Sequence, residues 1–178
     1  MWRRGDYLIS TDRSLLDLDV IHAFLSEEAY WSRGVSRGVV ERSIENSLNF
    51  GLYQGTGQVG FARVVTDHAT FAWLADVFVL PGHRGGGLGK WLVETAVSHP
   101  ELCGLRRWIL ATGDAHDLYA RFGFRPAAGD ARFMVLEAEG ASTSYDASRS
   151  SRSRSEGQRS ALRPTARAEP SSAQTGQK

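Results

Sequence analysis

Lysine is almost missing from this chain: of 21 basic residues only Lys90 and Lys178 are lysines, and the rest are arginine. Cysteine occurs once, at Cys103. That excludes an internal disulfide, fits a reducing compartment such as the cytoplasm, and reads as packing rather than as a nucleophile. No apolar run reaches the length of about 18 residues that a membrane span needs. The opening MWRRGDYLIS has two arginines with no apolar segment behind them, so a secretory leader is not expected. His68, His83, His99 and His116 form no His-x-x-x-His pair and fall near expected turns or helix ends. They read as solvated, and no metal site is expected. There is no internal repeat.

The net charge of +1 conceals an asymmetry. Residues 141–178 hold seven basic and three acidic side chains, a balance of +4, which leaves −3 for the first 140 residues. The tail is rich in Ser, Arg, Ala and Pro and poor in large apolar residues, so it cannot offset the entropy of ordering. Residues 1–139 are expected to form one domain and 140–178 a disordered Ser/Arg-rich tail. SRSSRSRS could meet phosphates. With few aromatics interleaved for stacking, it reads instead as a solvated tail, and a nucleic-acid partner is not expected.

What is present centres on residues 71–99, FAWLADVFVLPGHRGGGLGKWLVETAVSH. Phe71 to Leu80 is an apolar run suited to a buried strand. Pro81 and Gly82 end it, and Leu88 and Leu92, with Trp91 beside them, begin an amphipathic helix. The loop between carries Arg84, Gly85, Gly86, Gly87, Leu88, Gly89 and Lys90. A glycine-rich loop opening a helix presents unpaired backbone N–H groups and the positive end of the helix dipole, the setting for a diphosphate. Two nucleotide motifs fail here. A Walker A reading puts Arg84 where the first glycine belongs and Trp91 where a hydroxyl belongs. The literal Gly-x-Gly-x-x-Gly at Gly55 to Gly60 precedes a strand-like run rather than a helix, and reads as a hairpin turn.

Around this unit the chain shows a short strand at Tyr7 to Ser10, helical spacing from Leu15 to Ala29, a break at Tyr30 to Gly34, and a helix from Arg37 to Ser47. Leu48 to Tyr53, Gly60 to Val65 and Phe71 to Leu80 predict an antiparallel meander. Arg107 to Ala111 follows the glycine-loop helix and should pair parallel with the preceding strand. Asp114 can cap a helix through Phe122, and Phe124 with Arg132 to Leu136 supply the last strands.

Arg84-x-x-Gly87-x-Gly89 after a strand resembles the acetyl-CoA pyrophosphate loop of the GCN5-related N-acetyltransferases. Ala115 to Phe124 resembles that family's late helix and its closing Tyr-x-x-x-Gly-Phe. The resemblance covers roughly residues 5–138. It implies the acyl-CoA N-acyltransferase fold: mixed α/β (α+β), a mostly antiparallel sheet of six to seven strands, helices on both faces and a splayed parallel pair.

It also implies acetyl-CoA as cosubstrate, no metal, and transfer of acetyl to a primary amine of a small molecule or peptide by direct attack in a ternary complex. By position, Val77, Phe78 and Val79 would pair with the pantetheine arm, and Arg84 to Lys90 would hold the pyrophosphate. Tyr119 matches the family's usual acid beside the sulfur. Asp76, the sole acid inside the central strand run, matches the position where some members place a carboxylate base. Tyr30, Trp31 and Arg33 fall where the family builds one wall of the acceptor site, and many relatives are dimers. Two rival readings keep the fold: a non-catalytic acyl-CoA sensor, and an RNA-associated acetyltransferase docked through the tail.

Overall fold

A computed structural model describes residues 1–127. Six strands among them form one sheet in chain order. β1 (Trp2–Arg4) and β2 (Tyr7–Ser10) are a hairpin in which Arg4 faces Tyr7. The sequence reading starts the sheet only at β2, because three residues with two arginines carry no legible alternation.

The helical pattern expected from Leu15 is broken into pieces. Arg13–Leu15 forms a 3₁₀ turn, and α1 (Leu18–Ala23) begins after Asp17, whose carboxylate accepts the N–H groups of Asp19 and Val20. Such a side-chain cap satisfies donors that the first helical turn leaves free. A wider π turn, Phe24–Glu28, closes the segment. α2 (Arg37–Glu45) buries Val40 and Ile44, one turn apart as their spacing requires.

β3 (Leu48–Gln54), β4 (Gly57–Thr66) and β5 (Phe71–Val79) are the expected meander. The Gly55–Gly60 match is a hairpin, with Gln54 opposite Gly57. Asp67 closes the next turn by accepting the N–H groups of Ala69, Thr70 and Phe71. Those bonds and the Thr70 hydroxyl hold its carboxyl well below the usual range. α3 (Leu88–Val97) then crosses to β6 (Arg107–Ile109), which pairs parallel with β5 as expected. α4 (His116–Ala120) is shorter than expected, and Asp114 does not cap it. The Thr112 hydroxyl accepts the Ala115 N–H at 3.0 Å instead. The expected strand at Arg132 to Leu136, and the tail, lie outside the described residues.

Helices lie on both faces. On one, α1, the π turn and α2 enclose Phe61 and Phe78, with the Phe24 and Phe78 rings stacked at 4.0 Å. On the other, Leu88, Leu92, Val93 and Ala96 of α3 cover Phe50, Leu52, Val64 and Leu74. None of the described helices is long and apolar enough to cross a membrane.

Gly51 is set by packing. Gly51 and Tyr53 share a face of β3, and a Cβ on Gly51 would stand 2.1 Å from the Tyr53 hydroxyl oxygen. Tyr53 is buried, and burial, followed by Asp12 and Asp17, pushes its phenol up to about 12. Gly51→Ala must displace this ring, and urea denaturation should show a loss of about 1–3 kcal/mol, as expected for overpacking. An unchanged midpoint would show that the ring has another place to go.

Candidate active site

β5 and β6 separate. They pair only at Phe71–Arg107, Ala72–Trp108 and Trp73–Ile109, so β5 beyond Trp73 has no partner strand on that side among the described residues. On its other side β5 carries a bulge. Phe61 faces Phe78 but Arg63 faces Ala75, so one extra residue of β5 is accommodated opposite Ala62. Asp76 sits in this bulge at φ +52°, a left-handed conformation uncommon for a residue with a side chain.

Three contacts fix the bulge. The Arg63 Nε donates to Asp76 Oδ2, an ion pair with both side chains largely buried. The Trp31 Nε1 donates to Asp76 Oδ1 at 3.3 Å, and Arg63 Nη1 donates to the Ser47 hydroxyl at 3.2 Å. Each Asp76 oxygen thus accepts one hydrogen bond and retains capacity for another.

Two cavities open on the gap between the strands. The first, about 600 Å³, is lined by Val77, Phe78, Val79, Arg84, Gly85, Gly87, Leu88, Gly89 and Lys90, with Ala115, Asp117, Leu118, Tyr119 and Arg121 opposite. Gly85 and Gly87 have φ of +88° and +74°, so the loop's path depends on residues without a Cβ. No side chain caps α3, and its first turn is left to present bare N–H groups. Arg84 Nε donates to the Val79 carbonyl at 2.8 Å and ties the loop to the end of β5. A Cβ on Gly85 would meet nothing within 4 Å, and one on Gly87 would meet only the Arg4 guanidinium at 3.9 Å. Glycine here preserves open space over exposed donors, with a second arginine beside it. The residues present therefore fit a bound diphosphate.

The second cavity, about 270 Å³, is lined by Tyr30, Trp31, Arg63, Trp73, Asp76 and Val77 on one side and Thr112, Asp114, Ala115 and Tyr119 on the other. Val77, Ala115 and Tyr119 belong to both cavities. Tyr119 is buried against Phe124, ring centroids 6.0 Å apart, and its hydroxyl has no hydrogen-bond partner among the described residues. Burial, then the charge of Asp114 and the neighbouring Tyr30, pushes its phenol up to about 12.

Most residues singled out in the sequence thus converge: Asp76, Val77, Phe78, Val79, Tyr119, Tyr30, Trp31 and, from the loop, Arg84, Gly85, Gly87, Leu88, Gly89 and Lys90. Three do not. Arg33 is exposed and lines neither cavity. Gly86 faces a separate cavity with Arg4, Tyr7 and His83. His116 is exposed and also lines neither of the two. Sequence reasoning passed over Arg63, Trp73, Asp114 and Arg4. Arg63 alone left a signal, as the one cation inside the apolar run of β4.

A family model described as the acetyltransferase (GNAT) domain matches residues 45–126. A Gibberella zeae protein provisionally named an acetyltransferase is 38% identical over 142 residues, covering 67% of this chain and 79% of its own length. The chain belongs to the GNAT family of acetyltransferases. A Xanthomonas campestris pv. campestris structure, assigned provisionally to the same family, is 48% identical with a TM-score of 0.72, covering 75% of this chain and 94% of its own. The ribosomal-protein-S18-alanine N-acetyltransferase of Escherichia coli is 26% identical with a TM-score of 0.56, covering 68% and 79% respectively. The glycine loop, the parted strands and Tyr119 all lie within or beside the matched GNAT region.

The Arg63–Asp76 pair has a measurable structural share in this acetyltransferase. Asp76→Asn leaves a largely buried guanidinium without its counter-charge and should cost about 1–3 kcal/mol in urea denaturation. Combining it with Arg63→Met should recover part of that loss, since no charge is then stranded. A double variant less stable than the single would refute this account of the bulge.

Proposed function

We propose that the protein is an acetyl-CoA-dependent N-acetyltransferase acting on a primary amine by direct attack in a ternary complex. The observation that carries this reading is the position of Tyr119: it is shared by both cavities, and its hydroxyl has no partner among the described residues. Acetyl-CoA, when bound, supplies an acetyl group activated as a thioester. The backbone of Val77, Phe78 and Val79, on the unpaired side of β5, would hold the pantetheine arm, and donors there would stabilise charge developing on the carbonyl oxygen. Arg84, the loop glycines, Leu88 and Lys90 would hold the pyrophosphate, with Arg4 near enough to add charge.

An amine must lose its proton before it can attack. Asp76 has a free acceptor position on each carboxylate oxygen and borders the smaller cavity, so it takes that proton directly or through water. As the N–C bond forms and the C–S bond breaks, Tyr119 donates its hydroxyl hydrogen toward the departing sulfur. Trp31 and Arg63 position Asp76, and Tyr30 forms a wall. We place the enzyme in the cytoplasm and assign the Ser/Arg segment from residue 140 no nucleic-acid role.

Two measurements on the full chain test this. Calorimetric titration with acetyl-CoA should show binding that weakens at least about tenfold in Gly87→Val, because a side chain at φ +74° both strains the loop and fills the anion's space. Tyr119→Phe should retain that binding and lose about 100-fold or more in kcat. A phenol pushed up to about 12 keeps its proton through the working range, so kcat/KM should rise with pH as the amine deprotonates and show no fall up to about pH 10. Absence of acetyl-CoA binding would refute the reading outright. Binding with no turnover of any amine would point to the sensor.

A further inference from the structure

We infer that the acceptor is a small diamine, an aliphatic primary amine carrying a second cationic nitrogen that the acceptor cavity recognises with Asp114 and an aromatic wall. The inference rests on the function proposed above and concerns what the smaller cavity selects.

Charge is the first argument. Among the described residues that line it, the cavity holds two carboxylates, Asp76 and Asp114, and one cation, Arg63. Arg63 is spent on Asp76 and on the Ser47 hydroxyl. Asp114 forms no ion pair among the described residues. Its carboxylate receives only the hydroxyls of Tyr30 and Thr112, at 3.4 and 3.5 Å. These are long bonds between neutral donors and a full charge, and they leave one uncompensated negative group facing the acceptor space. An anionic acceptor would be repelled there, and no cation among the described lining residues is left to hold it.

The walls are the second argument. Tyr30 and Trp73 are among the few large hydrophobic side chains left exposed in the described residues, 50% and 38%, and both line this cavity. Trp31 joins them, meeting Tyr30 edge to face at 5.1 Å. Aromatic faces attract ammonium groups through their quadrupole, and an adjacent carboxylate strengthens the preference. The Tyr30 hydroxyl accepts the Gly113 N–H at 2.7 Å, which fixes the ring beside Asp114 rather than leaving it to rotate into solvent.

Size and division of labour complete the case. A cavity of about 270 Å³ lies at the small end for ligand sites, which run from about 300 to 1,000 Å³. The reacting nitrogen must be neutral and next to Tyr119, so it cannot also satisfy Asp114. A monoamine leaves Asp114 without a counter-ion, whereas a second ammonium on a short chain supplies one.

The test is thiol release from acetyl-CoA by the full-length enzyme with acceptors matched in length and differing in end group: putrescine and cadaverine, n-butylamine and n-pentylamine, and γ-aminobutyrate. The diamines should exceed the monoamines in kcat/KM by about tenfold or more, with γ-aminobutyrate the poorest. Asp114→Asn should collapse the diamine-to-monoamine ratio toward one. Monoamines or γ-aminobutyrate matching the diamines, or a ratio unmoved in Asp114→Asn, would overturn the inference while leaving N-acetylation standing. No thiol release with any amine, although acetyl-CoA binds, would remove the proposed function and this inference with it.

Discussion

The site depends on one extra residue in a strand. Asp76 occupies a bulge of β5 in a conformation that costs a residue with a side chain on the order of 1–3 kcal/mol. The Arg63 ion pair and the Trp31 indole hold it there. Without the bulge, strict alternation along β5 would carry through to Phe78. With it, Leu74 packs under α3 while Phe78 stacks on Phe24 across the sheet. The even spacing of Leu74, Asp76 and Phe78 would otherwise put them on one face. The strand thereby reaches the glycine loop with a different face to the core than it began with, next to the place where it has parted from β6. The ion pair and the geometry of the candidate site are therefore the same feature.

That coupling explains why a polar trio survives among apolar residues. A buried ion pair is weak evidence of stability by itself, because desolvation offsets most of the attraction. Here the pair sets a register. Arg63 reaches Asp76 rather than its ladder partner Ala75 because the bulge displaces β5 by one position. Trp31 arrives from the other direction, carried by the turn that follows the π segment, and Tyr30 beside it reaches across to Gly113. Trp31 thus pins its turn to the strand defect, and Tyr30 beside it ties that turn to the loop at Gly113. This is the kind of support that holds a reacting constellation steady.

Much of this was legible in the chain, and the exceptions have physical causes. The glycine loop could be read because a strand, a turn and an amphipathic helix in sequence leave few other structures, whereas Tyr119 could be singled out only through the resemblance of Ala115 to Phe124 to the GNAT late helix. The meander was fixed by turn chemistry, and the parallel β5–β6 pair followed from the crossover. Arg63 was missed because pairing across a bulge does not follow the ladder count. Arg33 was grouped with Tyr30 and Trp31 as a neighbour, but the turn there sends consecutive side chains in different directions and leaves Arg33 in solvent. Asp114 reads in the sequence as a cap, but α4 has no side-chain cap and the Asp114 carboxylate borders the cavity instead. Arg4 reaches the loop only through a hairpin too short to announce itself.

Tyr119 shows how burial constrains the chemistry proposed for it. A phenol pushed up to about 12 is a poor acid toward a thiolate whose own pKa is about 8.5: complete transfer between the two is uphill by roughly 3–4 units, on the order of 5 kcal/mol. Tyr119 cannot, on that footing, deliver its proton ahead of the reaction. It can donate a hydrogen bond as negative charge grows on the sulfur, and that interaction strengthens as the charge develops in a water-poor cleft. The proton that finally leaves with the thiol must be matched by one released from the attacking nitrogen. In the proposed reaction Asp76 and Tyr119 would thus act on opposite ends of a single proton balance, and both line the cavity where the amine would sit. The high pKa of Tyr119 is then no obstacle: it keeps the hydroxyl protonated as a fixed donor, and the driving force comes from the acidic nitrogen formed on attack.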